Sequence, residues 1–235
     1  MAFPTKDYIL TTNKEEYPKA LEVKGQTKKD PSKLLQLDNW KEEEIPKLLD
    51  LRYQKESHLF LTKEELIKLV EWKLEKGKFR PTLRKLVASN DESFVKQVTE
   101  RGYDIFIDYI EGKEGFLTSV KESLEEFCKL KGVGPATATL ILSLFPRVGD
   151  KKVAPFFSDE SFMYFNDIKI KYTLREYLDI YLPKVEAIGE ETGIHDLPII
   201  EKFTWTLFMN GKSESSTPTL KRASEDSTVP RKRRK

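Results

Sequence analysis

The strongest constraint on the fold of this chain is a helical spacing of apolar residues that continues from about residue 30 to residue 211. The stretch LTKEELIKLVEWKLEKGK shows it best, because its apolar residues recur every three or four positions. Thr62 followed by Glu65 predicts a capping box, and Gly77 predicts the end of the helix. Strand-like alternation occurs only in IKIKY at 168–172. The pattern predicts an all-helical domain of about eight to ten short helices.

Several residues mark where the other helices should begin or bend. Pro46 lies inside an apolar helical pattern and predicts a kink or a break. Pro81 and Asp91 have the positions expected of a first helical residue and an N-cap. Thr118 or Ser119 is the expected cap of the helix in FLTSVKESLEEFCKL.

Composition divides the chain into three parts. Residues 1–29 are mixed and end in the polar stretch KGQTKKDP, which predicts an N-terminal extension with a linker. Residues 30–211 carry the helical domain, and 212–235 contain so few apolar residues that we expect a disordered tail. The net charge is +2, but the tail holds eight basic and three acidic residues, so the helical part is slightly acidic. Any nucleic-acid contact in the domain therefore requires a local basic patch.

The sequence offers little for metal or cofactor chemistry. Its only cysteine, Cys128, excludes an internal disulfide, and with His58 and His195 it does not make an ordinary zinc site. We therefore expect no metal, no cofactor and a reducing compartment. No apolar stretch reaches membrane-spanning length and the N-terminus lacks a secretion signal, so a soluble intracellular protein is expected.

The segment KLKGVGPATATLIL, at 129–142, predicts a tight hairpin between two helices. Two glycines allow the turn, an apolar residue between them contacts the core, and Pro135 fits the first helical position. The turn amides and the start of the second helix can then bind a phosphate. The same spacing also fits a connection that only turns the chain. The candidate DNA-binding residues of this hairpin are Lys131, Gly132, Val133, Gly134, Ala136 and Thr137.

This segment resembles the helix-hairpin-helix motif, in the form found in the helix-hairpin-helix DNA glycosylase superfamily. There the consensus is Leu-Pro-Gly-Val-Gly, a variable pair and Thr-Ala, and the chain matches it from Leu130 to Ala138, with Lys131 where the family has proline. The specific match covers about 20 residues, and the helical surroundings fit more loosely. The resemblance implies the DNA glycosylase fold and binding to the DNA backbone without regard to sequence. The whole chain also resembles a eukaryotic protein group common in fungi, which adds no biochemistry.

The resemblance also suggests a catalytic residue. In the superfamily an Asp at the start of the helix after the motif stabilises the cationic sugar or activates water. Asp159, in VAPFFSDESFMYF, has a similar place, although the segment before it is a few residues longer than usual. An acid beside the N-cap Ser158 also fits a purely structural role. Bifunctional members carry a lysine within the second helix of the motif, and residues 135–144 contain none, so an enzyme would be monofunctional.

A second basic segment is WKLEKGKFRPTLRK, from Trp72 to Lys85. It holds six basic residues around a helix junction, with Phe79 in the turn. Lys78 and Arg80 are therefore candidates for a second contact with the DNA backbone. The same pattern also fits a helix face that is merely solvated.

The C-terminal tail carries a two-part basic pattern. It predicts a nuclear localisation signal, an import receptor as partner and the nucleus as the location. A basic tail that raises nonspecific DNA affinity fits as well. The residues concerned are Lys221, Arg222, Arg231, Lys232, Arg233, Arg234 and Lys235.

These features predict a nuclear DNA-binding protein that uses its helix-hairpin-helix without sequence specificity, with a role in DNA repair. One alternative is a monofunctional DNA glycosylase with Asp159 as its catalytic carboxylate. A second is a chromatin-associated protein-interaction module without DNA binding, which the acidic helical part favours.

Overall fold

The computed structural model describes residues 3–56 and 58–211, which form thirteen α-helices and no β-strand. Two π-helical turns, Trp40–Glu44 and Tyr177–Tyr181, interrupt the α-helical series. The predicted all-helical class is therefore confirmed for these residues, and IKIKY lies in a loop. In chain order the helices are α1 (Lys6–Glu15), α2 (Tyr17–Gln26), α3 (Pro31–Asn39), α4 (Ile45–Glu56), α5 (Lys63–Lys76), α6 (Leu83–Ala88), α7 (Glu92–Ile110), α8 (Phe116–Phe127), α9 (Pro135–Leu142), α10 (Asp159–Phe165), α11 (Leu174–Glu176), α12 (Leu182–Thr192) and α13 (Leu197–Met209).

The N-terminal residues differ from the extension that their composition predicts. Most of residues 3–29 form α1 and α2, which pack against α13. The Tyr8 ring lies 5.4 Å from Phe203, and the buried Tyr17 ring lies 5.4 Å from Trp205. The apolar residues of this segment do have helical spacing, but they are few among polar ones. Their burial follows from the packing of α1 and α2 against α13, which local sequence does not specify.

Several helix boundaries follow the local signals. Thr62 and Glu65 form the predicted capping box of α5, and the Asp91 carboxylate accepts hydrogen bonds from two amides at the start of α7. Two expectations were wrong. Gly115 is the N-cap of α8 in place of Thr118 or Ser119, and α6 begins at Leu83, two residues after Pro81. Extended backbone at Gly115 is sufficient to start α8 without a side-chain cap.

Pro46 does not break the helical path. It is the second residue of α4, the helix that directly follows the π-helical turn Trp40–Glu44. Pro183 has the same relation to α12 and the turn Tyr177–Tyr181. A proline lacks the N–H of the α-helical bond, and its ring clashes with a carbonyl in the preceding turn. The wider π turn accommodates both defects while the chain remains helical.

Helices α7 and α8 pack against each other and hold the start of the hairpin in position. They cross at Gly102, where an added Cβ would lie only 2.2 Å from Cε1 of Phe127. Next to this contact the Tyr103 ring meets Phe127 at 5.4 Å, and Phe106 meets Phe145 at 4.8 Å. These buried rings fix the C-terminal end of α8, from which the hairpin emerges.

The tail beginning at residue 212 lies outside the described residues, and so do all seven residues of the predicted localisation signal. The disorder of the tail and its role in nuclear import therefore stay predictions. Within the described part, none of the helices combines the length and apolar character needed to cross a membrane.

Candidate functional site

The hairpin joins α8 to α9 through residues 128–134, and α6 and the turn that follows it hold it in place. The Lys131 N–H donates to Asn90 Oδ1 and the Lys131 carbonyl accepts from Asn90 Nδ2, both at 2.9 Å. Gly132 has φ +80°, a left-handed conformation that favours glycine. A Cβ there would also lie 2.8 Å from Cγ2 of Val87. The turn therefore needs Gly132 for two separate reasons, its backbone conformation and the close approach of α6.

The remaining hairpin residues have distinct environments. Val133 is 5% exposed and packs in the main apolar core. Gly134 is exposed, and a Cβ added to it would meet no atom within 4 Å. Pro135 begins α9, as its position predicts. The turn is thus anchored on its apolar side and open at Gly134.

Three amides of the hairpin and the first turn of α9 have no acceptor among the described residues. Among the hydrogen bonds of the described residues, none uses the N–H of Gly132, Gly134 or Ala136. The neighbouring amides are used, since Val133 donates to the Leu130 carbonyl at 3.0 Å and Thr137 to the Gly134 carbonyl at 2.8 Å. Free N–H groups beside a helix N-terminus carry partial positive charge. The hairpin therefore has three donors available for an anion.

The hairpin also forms one wall of a cavity of about 140 Å³. The cavity extends from exposed residues at its rim, Lys78 and Arg80, to buried residues at its floor, Phe156 and Trp205. The residues of the hairpin and of the start of α9 that line it are Gly132, Gly134, Pro135, Ala136 and Thr137. Its walls thus come from the end of α5, the hairpin, the start of α10 and the loop before α11. We call it the hairpin cavity.

Asp159, the predicted catalytic residue, lines the hairpin cavity. It is the first residue of α10, and the N-cap Ser158 fixes its place by accepting from the Ser161 N–H at 3.3 Å. The Ser158 hydroxyl also donates to the buried Glu201 Oε1 at 2.5 Å. Ser158 therefore ties the start of α10 to α13 and leaves the Asp159 carboxylate at the cavity wall.

Tyr172 covers the Asp159 carboxylate from the opposite loop. Its hydroxyl donates to Asp159 Oδ2 at 2.6 Å, and the Arg80 guanidinium lies 5.0 Å from its ring. Burial and the Asp159 charge raise the pKa of the Tyr172 hydroxyl to about 12, so the proton stays on the tyrosine at neutral pH. The backbone at Tyr172 has φ +60°, which is unusual for a residue with a side chain. Glu176 maintains it by accepting from the amides of Lys171 and Tyr172, both at 2.8 Å.

Lys73 enters the hairpin cavity from α5. Its Nζ donates to Thr137 Oγ1 of α9 at 2.7 Å. No carboxylate of the described chain comes within 4.0 Å of this nitrogen. Loss of hydration, together with the nearby Arg80 charge, lowers the pKa of the Lys73 amine to about 8, and Asp159 opposes this only in part. A substantial fraction of the amine is therefore neutral in mildly alkaline solution.

A cluster of aromatic rings lies behind the floor of the cavity. The Lys76 ammonium is 4.4 Å from the centre of the Trp205 ring and 4.9 Å from that of Trp72. Asp38 accepts hydrogen bonds from the Trp72 indole at 2.9 Å and the Tyr17 hydroxyl at 2.7 Å. The buried Trp205 Nε1 has no acceptor in the described structure. Since Trp205 also lines the cavity, one polar group of this region is left unsatisfied.

The fold brings together most of the predicted DNA-binding and catalytic residues. Seven of them line the hairpin cavity, whereas Lys131 and Val133 do not. Lys131 is exposed beside the cavity and Val133 faces the core. The seven are Lys78, Arg80, Gly132, Gly134, Ala136, Thr137 and Asp159. Their position agrees with a common site but leaves the role of each a prediction.

The sequence analysis counts Lys73 among the six basic residues of the second segment but selects neither Lys73 nor Tyr172 as a site residue. A signal for Lys73 was present, because it continues the apolar face of α5 formed by Leu66, Leu69 and Val70. A lysine at such a position is buried at least in part. Tyr172 gave no comparable signal, since its contact with Asp159 depends on the path of a loop. Helix α9 itself contains no lysine, but a lysine of α5 reaches its first turn.

No group of three or more His, Cys, Asp or Glu side chains in the described part of the chain has the arrangement of a metal site. Comparisons of the chain with protein-family models, with curated proteins and with solved structures find no match.

Proposed function

We propose that this protein binds the phosphate backbone of DNA through the hairpin between α8 and α9, without reading the base sequence. The observation that carries the proposal is the set of three free amides, at Gly132, Gly134 and Ala136, beside the N-terminus of α9. A phosphate oxygen there gains hydrogen bonds and the favourable end of the helix dipole. The exposed Lys131 adds a positive charge next to the turn.

The resemblance of the hairpin to the helix-hairpin-helix motif supports DNA as the source of the phosphate. Lys78 and Arg80, exposed at the rim of the same cavity, supply further positive charge. This local patch offsets the slightly acidic character of the helical part. The basic tail would add nonspecific affinity and nuclear import. In this proposal the protein works on DNA in the nucleus.

Gly134→Asp provides the sharpest test. The backbone at Gly134 has φ −107° and there is open space around it, so a side chain fits without strain. An aspartate at this N-cap should accept the free amide of Ala136 in the first turn of α9 and repel a phosphate from the turn. Duplex affinity, measured by fluorescence anisotropy at low salt, should fall by at least about tenfold. Gly132 is unsuitable for this test, because a side chain there would distort the turn.

Gly115→Asp is the matched control. Gly115 is the exposed N-cap of α8, at the end of that helix remote from the hairpin, and the change adds the same charge. Both variants should keep or increase thermal stability, because an aspartate caps a helix better than glycine does. If Gly134→Asp binds duplex as tightly as Gly115→Asp does, the hairpin is not the DNA contact. If the unmodified protein binds no duplex, the proposal fails and an interaction module without DNA binding is favoured.

A second candidate function, release of a damaged base by Asp159, is favoured by one observation. The Asp159 carboxylate lines the same cavity as the hairpin residues, so a nucleotide held by the hairpin would be near it. Removal of a base needs the nucleotide to leave the helix and a carboxylate near its sugar. The Tyr172 hydroxyl now bonded to Asp159 would have to move aside or bond the sugar.

Asp159→Asn tests this second function. It should abolish base release from a panel of damaged duplexes, while duplex binding remains within about threefold of the unmodified protein. Tyr172→Phe is the companion variant, since it removes the hydroxyl bonded to Asp159 and keeps the ring beneath Arg80. Release that persists in Asp159→Asn would rule out this role, and no release by the unmodified protein on any duplex would rule out the activity.

A further inference from the structure

Lys76 is the one buried lysine of the described residues, with 3% of its surface exposed. Its nitrogen makes no hydrogen bond and no ion pair within the described chain. The rings of Tyr17, Trp72 and Trp205 surround it, with their centres 4.4–5.0 Å away. Ring faces attract a cation, but they leave the three N–H groups of the ammonium without a conventional acceptor. A buried charge in this condition is unusual, because burial removes its hydration.

A second lysine beside the same rings shows the usual arrangement. Lys41 lies 5.1 Å from the Trp72 ring and also pairs with Glu42 at 2.8 Å. Lys76 differs because it lines the hairpin cavity. Trp205, whose buried indole nitrogen has no acceptor in the described structure, lines the cavity as well. Two buried donors without acceptors beside one cavity point to a ligand that carries an acceptor.

The charges around the cavity favour an anion over a neutral ligand. Both acidic residues of the lining have partners, since Asp159 accepts from the Tyr172 hydroxyl at 2.6 Å and Glu160 pairs with Lys24 at 3.3 Å. The basic residues of the lining have no carboxylate of the described chain within 4.0 Å, and they are Lys73, Lys76, Lys78 and Arg80. Positive charge is therefore in excess at the cavity.

The electrostatic state of Lys76 agrees with this excess. Burial lowers the pKa of its amine, and the charges of Glu201 and Asp38 oppose the shift without forming an ion pair with it. An anion in contact with the nitrogen would favour its protonated form more strongly.

The size and lining of the cavity restrict the ligand to a small acid with an apolar body. Its volume of about 140 Å³ is below the range of roughly 300–1,000 Å³ that holds drug-sized ligands. Leu74, Leu83 and Phe156 add apolar surface to that of the Trp205 ring. The cost of dehydrating an ion rises steeply with its charge, so such a lining favours a carboxylate over a phosphate, which is largely doubly charged at pH 7.

We propose that the buried end of the hairpin cavity binds the carboxylate of a small apolar acid, with the Lys76 ammonium as its ionic partner and the Trp205 indole as a hydrogen-bond donor. A carboxylate has two oxygens, so it can accept from both groups. The apolar body of the acid lies against Phe156 and the other apolar residues of the lining. This site does not depend on DNA binding, because its donors differ from the amides of Gly132, Gly134 and Ala136.

Calorimetric titration of the full chain with benzoate tests the proposal at pH 7 and low salt. Benzamide is the matched probe, because it has nearly the same shape and no charge. Benzoate should bind at least about tenfold more tightly than benzamide, and inorganic phosphate at least about tenfold more weakly than benzoate. Equal binding of benzoate and benzamide overturns the site, and equal binding of phosphate contradicts its preference for an apolar acid.

Lys76→Met removes the charge and keeps most of the length of the side chain. It should weaken benzoate binding at least about tenfold and leave benzamide binding within about threefold. Lys78→Met is the control, because Lys78 is exposed at the rim of the same cavity, and it should change benzoate binding by less than about threefold. Circular dichroism checks that both variants are folded. Benzoate binding to folded Lys76→Met that is as tight as to the unmodified protein would overturn the role of Lys76.

The indole signals of the unmodified protein provide a test that needs no variant. The chain has three tryptophans and therefore three indole N–H signals in a nitrogen-15 spectrum. Benzoate should shift the Trp205 signal, which its contact with the Tyr17 ring identifies, and leave that of Trp40, which does not line the cavity, in place. A Trp205 signal that stays unshifted at saturating benzoate would overturn the site.

Duplex anisotropy keeps this proposal separate from the proposed function. Benzoate binding without duplex binding would refute only the proposed function. Duplex binding without benzoate binding would refute only the carboxylate site.

Discussion

Replacing Lys73 by methionine should make the protein more stable at neutral pH. Methionine has nearly the length of the lysine stem, so the wall of the hairpin cavity stays filled. The change removes a cation that has no carboxylate partner among the described residues and loses one hydrogen bond, to Thr137. The balance of these two effects sets the direction of the prediction.

The magnitude follows from the pKa of the amine. A pKa of about 8 in the folded protein against 10.5 for an ordinary lysine corresponds to a penalty of about 3 kcal/mol for the folded state. The hydrogen bond to Thr137 offsets about 1 kcal/mol, so the variant should gain about 2 kcal/mol at pH 7.

The sign of the pH dependence follows from proton binding. Below pH 8 the amine is protonated in both states, and the penalty is present in full. Between pH 8 and pH 10.5 the unfolded chain binds a proton that the folded protein has released, so the stability of the unmodified protein rises relative to the variant. Above this range the two proteins should differ only by the hydrogen bond.

Urea denaturation at pH values between about 7 and 10 measures both effects as a difference between the two proteins. The other lysines and tyrosines are present in both proteins, so their contributions cancel in the difference between the two free energies of unfolding. Lys78→Met is the control, because Lys78 is exposed and its removal should change stability little at any pH. A difference between Lys73→Met and the unmodified protein that is independent of pH, or a less stable variant at pH 7, would refute the reasoning.

Two further predictions concern the contacts that hold the hairpin in place. Gly102→Ala should lower the free energy of unfolding by about 2 kcal/mol, because its Cβ would lie 2.2 Å from Phe127 Cε1, whereas the same change at Gly115 meets no atom closer than 3.9 Å. Urea denaturation of the two variants checks this, and equal stability would contradict it. Asn90→Ala should lower stability by about 1–3 kcal/mol, because the Lys131 amide and carbonyl lose their partner. Hydrogen exchange of the hairpin amides should become faster in this variant. Unchanged exchange would show that the hydrogen bonds of Asn90 do not hold the hairpin in place.

The sequence by itself determined the helical class and much of the local detail. The capping box at Thr62 and Glu65, the cap at Asp91 and the start of α9 at Pro135 all follow from residues within one helical turn of each other. The two glycines of the hairpin could also be interpreted locally, although the sequence did not show that they differ. Gly132 is fixed by its left-handed backbone and by Val87, while Gly134 is free to accept a side chain.

Only the tertiary structure decided what lies around the hairpin. The cavity joins Lys73, Thr137, Asp159 and Tyr172, which come from four separate segments of the chain. No local pattern specifies that the Lys73 amine meets Thr137, or that the Tyr172 hydroxyl covers Asp159. The physical reason is the range of the forces involved. Caps and turns depend on hydrogen bonds to nearby backbone, whereas the burial of a charge and the shape of a cavity depend on how all the helices pack together.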